Sequence, residues 1–484
     1  DPKHTNANYN LGVIFYELKD LKKAKSYFKK TVDIQKNYGL AFFNLGNVHV
    51  DLKEYNEAIS CYQKAIEINS GIVGAHNNLG LVYRMVNDFE NAVKSYQNAI
   101  KINPKHGGAF HNLALAYKEL GKFDKSIESH QKAIQYEPEN LAHCYYLSEL
   151  KKDTLNTDLK KKINKILVNK KLTKTNSAFG NYLLAKYERK SKNYEQELKF
   201  LVEGHKNFFD SMKKKFELNV KYCFDDVLKI AEGAKVEKIN KKDKYDEIKP
   251  IFIIGVPRCG STLVEKIIAS GSKDIPMGEE TAIFDNFVTK KILEKQSLNL
   301  GNCSELRKEL HNLYKDRGII MKKYDNIFTD KSLNNFFYLN LIKAIYPNAK
   351  IINCKRDTLS SIMSIFQNNL TELGWTHNLN NIFKYFNNYF EIVNRYDKAN
   401  PNTIYHLEFE KLTSEPEEES KKLMKFCELP WDKKCLEFYK RKDIISKTAS
   451  NVQIRKPIYK NLVDKYTPYK FFLDKYGNKY SWFN

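Results

Sequence analysis

The chain has 484 residues, 42% of them apolar and 13% aromatic, with only 12 prolines. At about 100 to 200 residues per domain, that length holds two to four domains whose cores need no disulfide or metal staple, and the composition excludes wholesale disorder and fibrous repeats. The net charge of +23 is unevenly placed, because residues 1–150 carry 18 basic against 16 acidic side chains and nearly the whole excess falls on the remainder.

Four tripeptides, Asn10-Leu11-Gly12, Asn44-Leu45-Gly46, Asn78-Leu79-Gly80 and Asn112-Leu113-Ala114, recur every 34 residues. A fixed period of that size is the mark of a solenoid. Phe15, His49, Tyr83 and Tyr117 keep the register, as do Ala24, Ala58, Ala92 and Ser126, then Phe28, Tyr62, Tyr96 and His130; Pro104 and Pro138 close the last two units. Each unit reads as two amphipathic helices, with Leu11, Gly12 and Phe15 on one stripe and Ala24, Phe28 and Thr31 on the other. Gly12 and Ala24 are small enough to let the paired helices approach closely. This all-α region resembles the tetratricopeptide repeat, and the resemblance implies a concave surface suited to an extended peptide or partner protein. The bland alternative is a spacer or dimerisation arm.

Residues 141–245 lose the clean period but still read as irregular helix pairs that roof or continue the solenoid. Lysine runs at 160–162 and 213–215 alternate there with apolar stripes such as Tyr182, Leu183 and Tyr187. Such runs are most simply solvated helix faces, and no nucleic-acid partner is expected. The charged stretch 237–249 is the expected linker.

At Pro250 the texture changes. Ile251-Phe252-Ile253-Ile254 suits a strand buried on both faces of a parallel sheet. It is followed by Gly255-Val256-Pro257-Arg258-Cys259-Gly260-Ser261-Thr262 and then by Leu263-Val264-Glu265-Lys266-Ile267-Ile268 at helical spacing. Strand, glycine loop and helix form a phosphate cradle, in which converging N–H groups, the helix N-terminus and two hydroxyls grip an anion. The spacing imitates a Walker A loop, but Ser261 stands where that loop has its lysine, and the basic group is Arg258. That argues against a kinase or ATPase, which must reach a γ-phosphate.

The loop resembles the 5′-phosphosulfate loop of sulfotransferases, which use 3′-phosphoadenosine 5′-phosphosulfate (PAPS) and release 3′-phosphoadenosine 5′-phosphate (PAP). A second signature is present: a strand over 349–354, Lys355-Arg356-Asp357 at its end and a helix over 358–370. The resemblance implies an α/β domain over 250–484 with a mostly parallel sheet and no metal. It assigns Arg258, Cys259, Gly260, Ser261 and Thr262 to the 5′ end of the nucleotide, and Arg356 and Ser364 to the 3′-phosphate, where a guanidinium fork and a hydroxyl are apt. Within the family the chain looks most like tyrosylprotein sulfotransferases and bacterial sulfotransferases carrying tetratricopeptide repeats. Met277-Gly278-Glu279-Glu280-Thr281 matches the stretch whose second glutamate is the catalytic base. Thr329-Asp330-Lys331 matches the stretch with a catalytic lysine, and Ser450 with Lys456-Pro457 matches the residues that close over the nucleotide. Ala282 stands where the tyrosylprotein enzymes have an arginine near the acceptor, which weighs against peptidyl tyrosine.

In such a site a hydroxyl acceptor is a poor nucleophile at neutral pH, so a carboxylate must take its proton; Glu280 is the candidate. Lys331, Arg258 and Ser450 are the candidate donors to the leaving oxygen. The expected acceptor is a hydroxyl on a protein, tyrosine among them, or on a glycan, docked by the repeat arm. The weighed alternatives are a repeat scaffold with a non-catalytic nucleotide domain, a P-loop kinase, and nucleic-acid binding through the basic middle. The aromatic tail, 466–484, reads as packing for the domain.

No apolar run approaches the ~20 residues that cross a bilayer. The chain starts at Asp1, so any targeting segment is expected to lie outside it. The eight cysteines are scattered without a C-x-x-C pair, which suggests buried thiols in a reducing, cytoplasmic compartment rather than zinc ligands or disulfides.

Overall fold

The computed structural model describes residues 4–169, 171–237, 247–271, 275–320, 326–441, 452–458 and 463–483. It divides into two compact units, Asp1–Val168 and Asn169–Asn484.

In the first unit each sequence repeat is a helix pair: α1 (Thr5–Glu17) with α2 (Leu21–Ile34), α3 (Gly39–Asp51) with α4 (Tyr55–Ile68), α5 (Val73–Met85) with α6 (Phe89–Ile102), and α7 (Gly107–Glu119) with α8 (Phe123–Tyr136). The glycine of the repeated tripeptide has a steric reason. A methyl on Gly12 would lie 2.7 Å from the Phe28 ring, on Gly46 2.6 Å from Tyr62, and on Gly80 2.7 Å from Tyr96. In the fourth repeat the pair is Ala114 and His130, both fully buried: a smaller ring leaves room for a methyl. The turn inside each pair repeats as well, with Lys19, Lys53, Asn87 and Gly121 all in the left-handed region at φ 61°, 61°, 68° and 72°. Asparagines run along the first helices, where Asn44 donates to Tyr9 Oη at 2.9 Å, Asn78 to Asn47 Oδ1 at 2.9 Å and Asn112 to Asn77 Oδ1 at 3.0 Å. Helices α9 (Leu141–Leu150) and α10 (Thr157–Leu167) complete this unit.

The second unit begins with the antiparallel pair α11 (Lys174–Lys190) and α12 (Tyr194–Ser211). These helices of the irregular middle region are tied to the following α/β fold. Glu197 on α12, fully buried, accepts from Arg189 Nε at 2.7 Å, Gln367 Nε2 at 3.1 Å and Tyr469 Oη at 2.7 Å, and His205 is bonded to the Phe366 carbonyl at 2.7 Å.

A short strand β1 (Lys235–Glu237) pairs in parallel with β3 (Asn299–Asn302), so the expected linker opens on a strand; its residues 238–246 lie outside the described ones. The main sheet contains β2 (Ile251–Ile254), β4 (Thr329–Asp330), β5 (Lys350–Lys355) and β6 (Ile404–Glu408), in the spatial order β4-β2-β5-β6 with every pairing parallel. All four residues of β2 are buried, as a continuous apolar run at the middle of a parallel sheet requires. Because β4 and β5 flank β2 on opposite sides, the loops leaving the carboxyl ends of these strands open around one point, the usual place for a ligand in such sheets. The helix after β5 spans Thr358–Phe366, shorter than its expected run to 370. Its end is set by Asn368, whose side-chain amide donates to the Ser364 carbonyl at 2.6 Å and draws it away from further helix.

Candidate active site

The loop between β2 and the helix Ser261–Ala269 turns on two left-handed residues, Arg258 at φ 69° and Gly260 at φ 99°. For Arg258 this backbone is strained, and the surroundings hold it in place. Arg356, at the end of β5, donates from Nη1 to the Arg258 carbonyl at 2.8 Å, and Arg258 donates from Nε to Ser364 Oγ at 3.0 Å. Three sequence-selected residues, spread over 106 positions, thus meet at one point of the sheet. Asp357 caps the Thr358–Phe366 helix by accepting from the Ser360 N–H at 2.7 Å. The buried Arg356 Nε, Ser360 Oγ and Ser361 Oγ have no hydrogen-bond partner among the described residues, as a cradle awaiting an anion would. Phe409, just after β6, lies under this cluster: the Arg356 guanidinium sits 5.0 Å from its ring centroid.

On the other side of β2, residues 276–282 are laced to β4 and the residues after it. Met277 bridges Thr329, the Thr329 N–H donates to the Pro276 carbonyl at 3.0 Å, and the Lys331 N–H to the Glu279 carbonyl at 3.1 Å. Gly278 is needed here because a methyl would lie 2.1 Å from the Thr329 carbonyl oxygen. The lacing brings the Glu280 carboxylate to Lys331, with Nζ donating to Oε1 at 3.0 Å. Lys331 is buried at its root and tip, whereas the Glu280 side chain is 42% exposed and open to an incoming molecule. Burial pulls the Lys331 ammonium down, but the carboxylates of Glu280, Glu265 and Glu279 outweigh it and hold its pKa above the ordinary lysine value. Asp330 anchors the strand end: it accepts from Tyr314 Oη at 2.5 Å, Ser332 Oγ at 2.7 Å and Asn335 Nδ2 at 2.8 Å.

The remaining sequence-selected residues fall in several places. Thr262 is buried and Ser261 half-buried in the first turn of the loop helix. The Cys259 side chain points inward, toward the N–H and hydroxyl of Ser261 and the Cys354 thiol, so only its backbone faces the cradle. Lys456 is exposed, immediately after a 3-10 turn (Gln453–Arg455) that packs on the loop helix. Ser450 lies outside the described residues. All eight cysteines are free thiols, seven of them buried, in keeping with their reading as small hydrophobes.

Sequence reasoning passed over Phe409, Asp330 and Glu265. Glu265 and Lys266, given in the sequence only as part of the helical run after the loop, are both fully buried. The signal available was their place one turn after the glycine loop, in a segment otherwise apolar.

Residues 250–433 match the sulfotransferase family, and residues 5–38, 39–71, 73–106 and 108–140 match the tetratricopeptide repeat. An uncharacterized protein of Aquifex aeolicus is 30% identical over 62% of this chain and 41% of its own length. Protein-tyrosine sulfotransferase A of Caenorhabditis elegans is 26% identical over 41% of this chain and 55% of its own, and the protein-tyrosine sulfotransferase of Drosophila melanogaster 24% over 38% and 39%. The chain thus spans about half or less of these curated relatives. Among solved structures, MamA is 28% identical over 28% of this chain and 81% of its own, with a TM-score of 0.28. Pseudomonas aeruginosa pilF is 17% identical over 41% and 89%, with a TM-score of 0.36. No helix among the described residues is long and apolar enough to cross a membrane. The chain therefore carries tetratricopeptide repeats in its N-terminal part and a sulfotransferase-family domain in its C-terminal part.

Proposed function

We propose that the second unit transfers a sulfuryl group from PAPS to a hydroxyl acceptor. The observation that carries this reading is that two chemically distinct sets flank strand β2: Arg258, Arg356 and Ser364 toward β5, Lys331 and Glu280 toward β4. The first set, with the loop N–H groups and the Ser261 and Thr262 hydroxyls, suits a nucleotide phosphorylated at both its 3′ and 5′ positions. Arg356 and Ser364 take the 3′-phosphate, and the loop with Arg258 takes the 5′ end. The second set suits an in-line displacement. Glu280 accepts the acceptor's proton as its oxygen attacks sulfur, and Lys331 donates to the oxygen on which charge develops. The backbone of Cys259 and Gly260 belongs to the loop, while Ser450 and Lys456 are assigned by resemblance to the closing segment.

The acceptor is a hydroxyl on a protein or glycan that the repeat unit docks. A solenoid that binds extended peptides has no use for a small metabolite. Ala282 supplies no guanidinium beside the acceptor, which weighs against tyrosine as the particular hydroxyl.

Thermal unfolding with PAP against ADP at equal concentration tests the nucleotide site. A ligand at 100 times its Kd adds about 2.7 kcal/mol to the stability of the state that binds it. A shift with PAP alone supports the two-phosphate site, and label transfer from [35S]PAPS to candidate acceptors follows. An equal shift with ADP sinks it and returns the kinase and scaffold readings.

A further inference from the structure

Glu265 lies on the helix Ser261–Ala269 and is fully buried. Its Oε1 accepts from the Thr329 hydroxyl at 2.7 Å and from the Glu279 N–H at 3.0 Å. Its Oε2 has no hydrogen bond among the described residues and lies 3.9 Å from Lys331 Nζ. The adjacent Lys266, also fully buried, donates to Glu279 Oε1 at 3.2 Å and to Met277 Sδ at 3.1 Å. One carboxylate therefore joins three segments that are remote in sequence: the helix after the phosphate loop, the turn that carries Glu280, and the strand end that carries Lys331.

Burying a carboxylate is costly, and a glutamine could accept the same two hydrogen bonds through its carbonyl oxygen. What the acid adds is a negative charge beside Lys331. The need for that charge is visible in the Lys331–Glu280 ion pair at 3.0 Å. While that pair stands, the Glu280 Oε1 that is to take a proton is occupied by Lys331 Nζ. Once Glu280 turns to an acceptor, Lys331 would be left as an unpaired buried cation, the arrangement that costs most.

We infer that Glu265 is a positioning residue for sulfuryl transfer: it holds the Lys331 ammonium in place while Glu280 leaves the ion pair to take the acceptor's proton, and it fixes the Glu279–Glu280 backbone through the Glu279 N–H. The inference rests on the sulfotransferase reading above. The groups facing Glu265 are Lys331, Lys266, Glu279 and the Thr329 hydroxyl; burial pushes its carboxyl up and the two lysines pull against that.

The test uses the full chain and Glu265→Gln, which keeps shape and both accepted hydrogen bonds. Release of sulfate from [35S]PAPS onto water, with enzyme in excess so that slow turnover is still read, is followed across pH beside the PAP-induced thermal shift. The expected result is a PAP shift unchanged from the parent, turnover lowered about 10- to 100-fold, and a basic limb of the pH profile moved to lower pH, since Lys331 has lost a carboxylate neighbour. In a Lys331→Gln background the same Glu265→Gln change is expected to cost nothing more, because it acts through that lysine. Should Glu265→Gln not fold, Glu265→Asp takes its place: it keeps the charge and shortens its reach, so lowered turnover without the pH displacement is expected, with no further loss in the Lys331→Gln background. Unchanged turnover and pH profile, or losses that simply add in the Lys331→Gln background, overturn the inference and leave Glu265 a structural residue. A parent chain that shifts no more with PAP than with ADP, or releases no sulfate, overturns the sulfotransferase reading itself and the inference with it.

Discussion

The two units bury polar groups in different ways. In the repeat unit the buried polar side chains are amides, hydroxyls and imidazoles, such as Asn8, Thr31, Ser126 and His130, set among alanines and aromatic rings. In the second unit Glu197, Glu265, Lys266, Asp285, Arg307, Asp330 and Lys331 are all buried, and among the described residues every buried Asp, Glu, Lys or Arg falls on this side of the division. A solenoid needs only repeated packing, so evolution can keep charge at its surface. A site that moves a charged group must bring ions inside and satisfy each with partners, and its stability then hangs on those partners.

The sharpest way to break this contrast is to remove a charge from each unit. Lys331→Met strands Glu265 and Glu280 and is expected to cost the second unit about 3–5 kcal/mol. The exposed Lys29→Met in the repeats is expected to stay within about 0.5 kcal/mol. Differential scanning calorimetry of both variants checks this; comparable losses would end the distinction.

The repeats have their own weak point in His130, whose pKa burial pushes down to about 3, with His143 and Lys118 adding to the effect and Glu149 opposing it. Its folded pKa lies below the ordinary unfolded value near 6.5, so the unfolded state takes up the proton first. Stability from the neutral ring is present above about pH 6.5 and is lost as pH falls toward 3. His130→Tyr, matching Tyr62 and Tyr96, removes that acid sensitivity but crowds Ala114 and costs about 1–3 kcal/mol at neutral pH. Adding Ala114→Gly is expected to restore most of the loss. Urea titrations at pH 7 and pH 5 separate the two effects.

The reciprocal change, Gly46→Ala, presses a methyl to 2.6 Å from Tyr62 and should cost a similar ~1–3 kcal/mol despite alanine's better helix propensity. A gain instead would show that the rings move aside freely. The smallest expected effect is a stabilisation: Lys53, left-handed at φ 61°, replaced by Asn, which stands at the matching position 87, should gain less than about 1 kcal/mol in the same titrations.

Much of the site was legible because its residues lie in local patterns with a mechanical meaning. The apolar run before Gly255 declared a buried strand and the glycine loop after it an anion cradle, whereas Arg356 and Ser364 were picked out by resemblance, and the fold brings both to Arg258. Glu280 and Lys331 rested on resemblance alone, since nothing in a short acidic stretch or a single lysine says that 51 residues apart they will meet. Glu265 was invisible for the same reason: its partners come from Thr329 and Glu279, neither of which lies on its own helix.

What the sequence determined by itself was therefore whatever repeats or acts over a few residues. The period of 34, the small residue opposite a ring in each helix pair and the glycine loop between strand and helix can all be read from spacing along the chain. What only the tertiary structure decided was where charge goes inside. It turned Cys259 inward, set Phe409 under Arg356, tied α12 to the α/β fold through Glu197, and buried Glu265 and Lys266 around Lys331. The physical reason is that an apolar stripe is stable against any apolar neighbour, whereas a buried ion is tolerated only beside particular partners, and those arrive from distant parts of the chain.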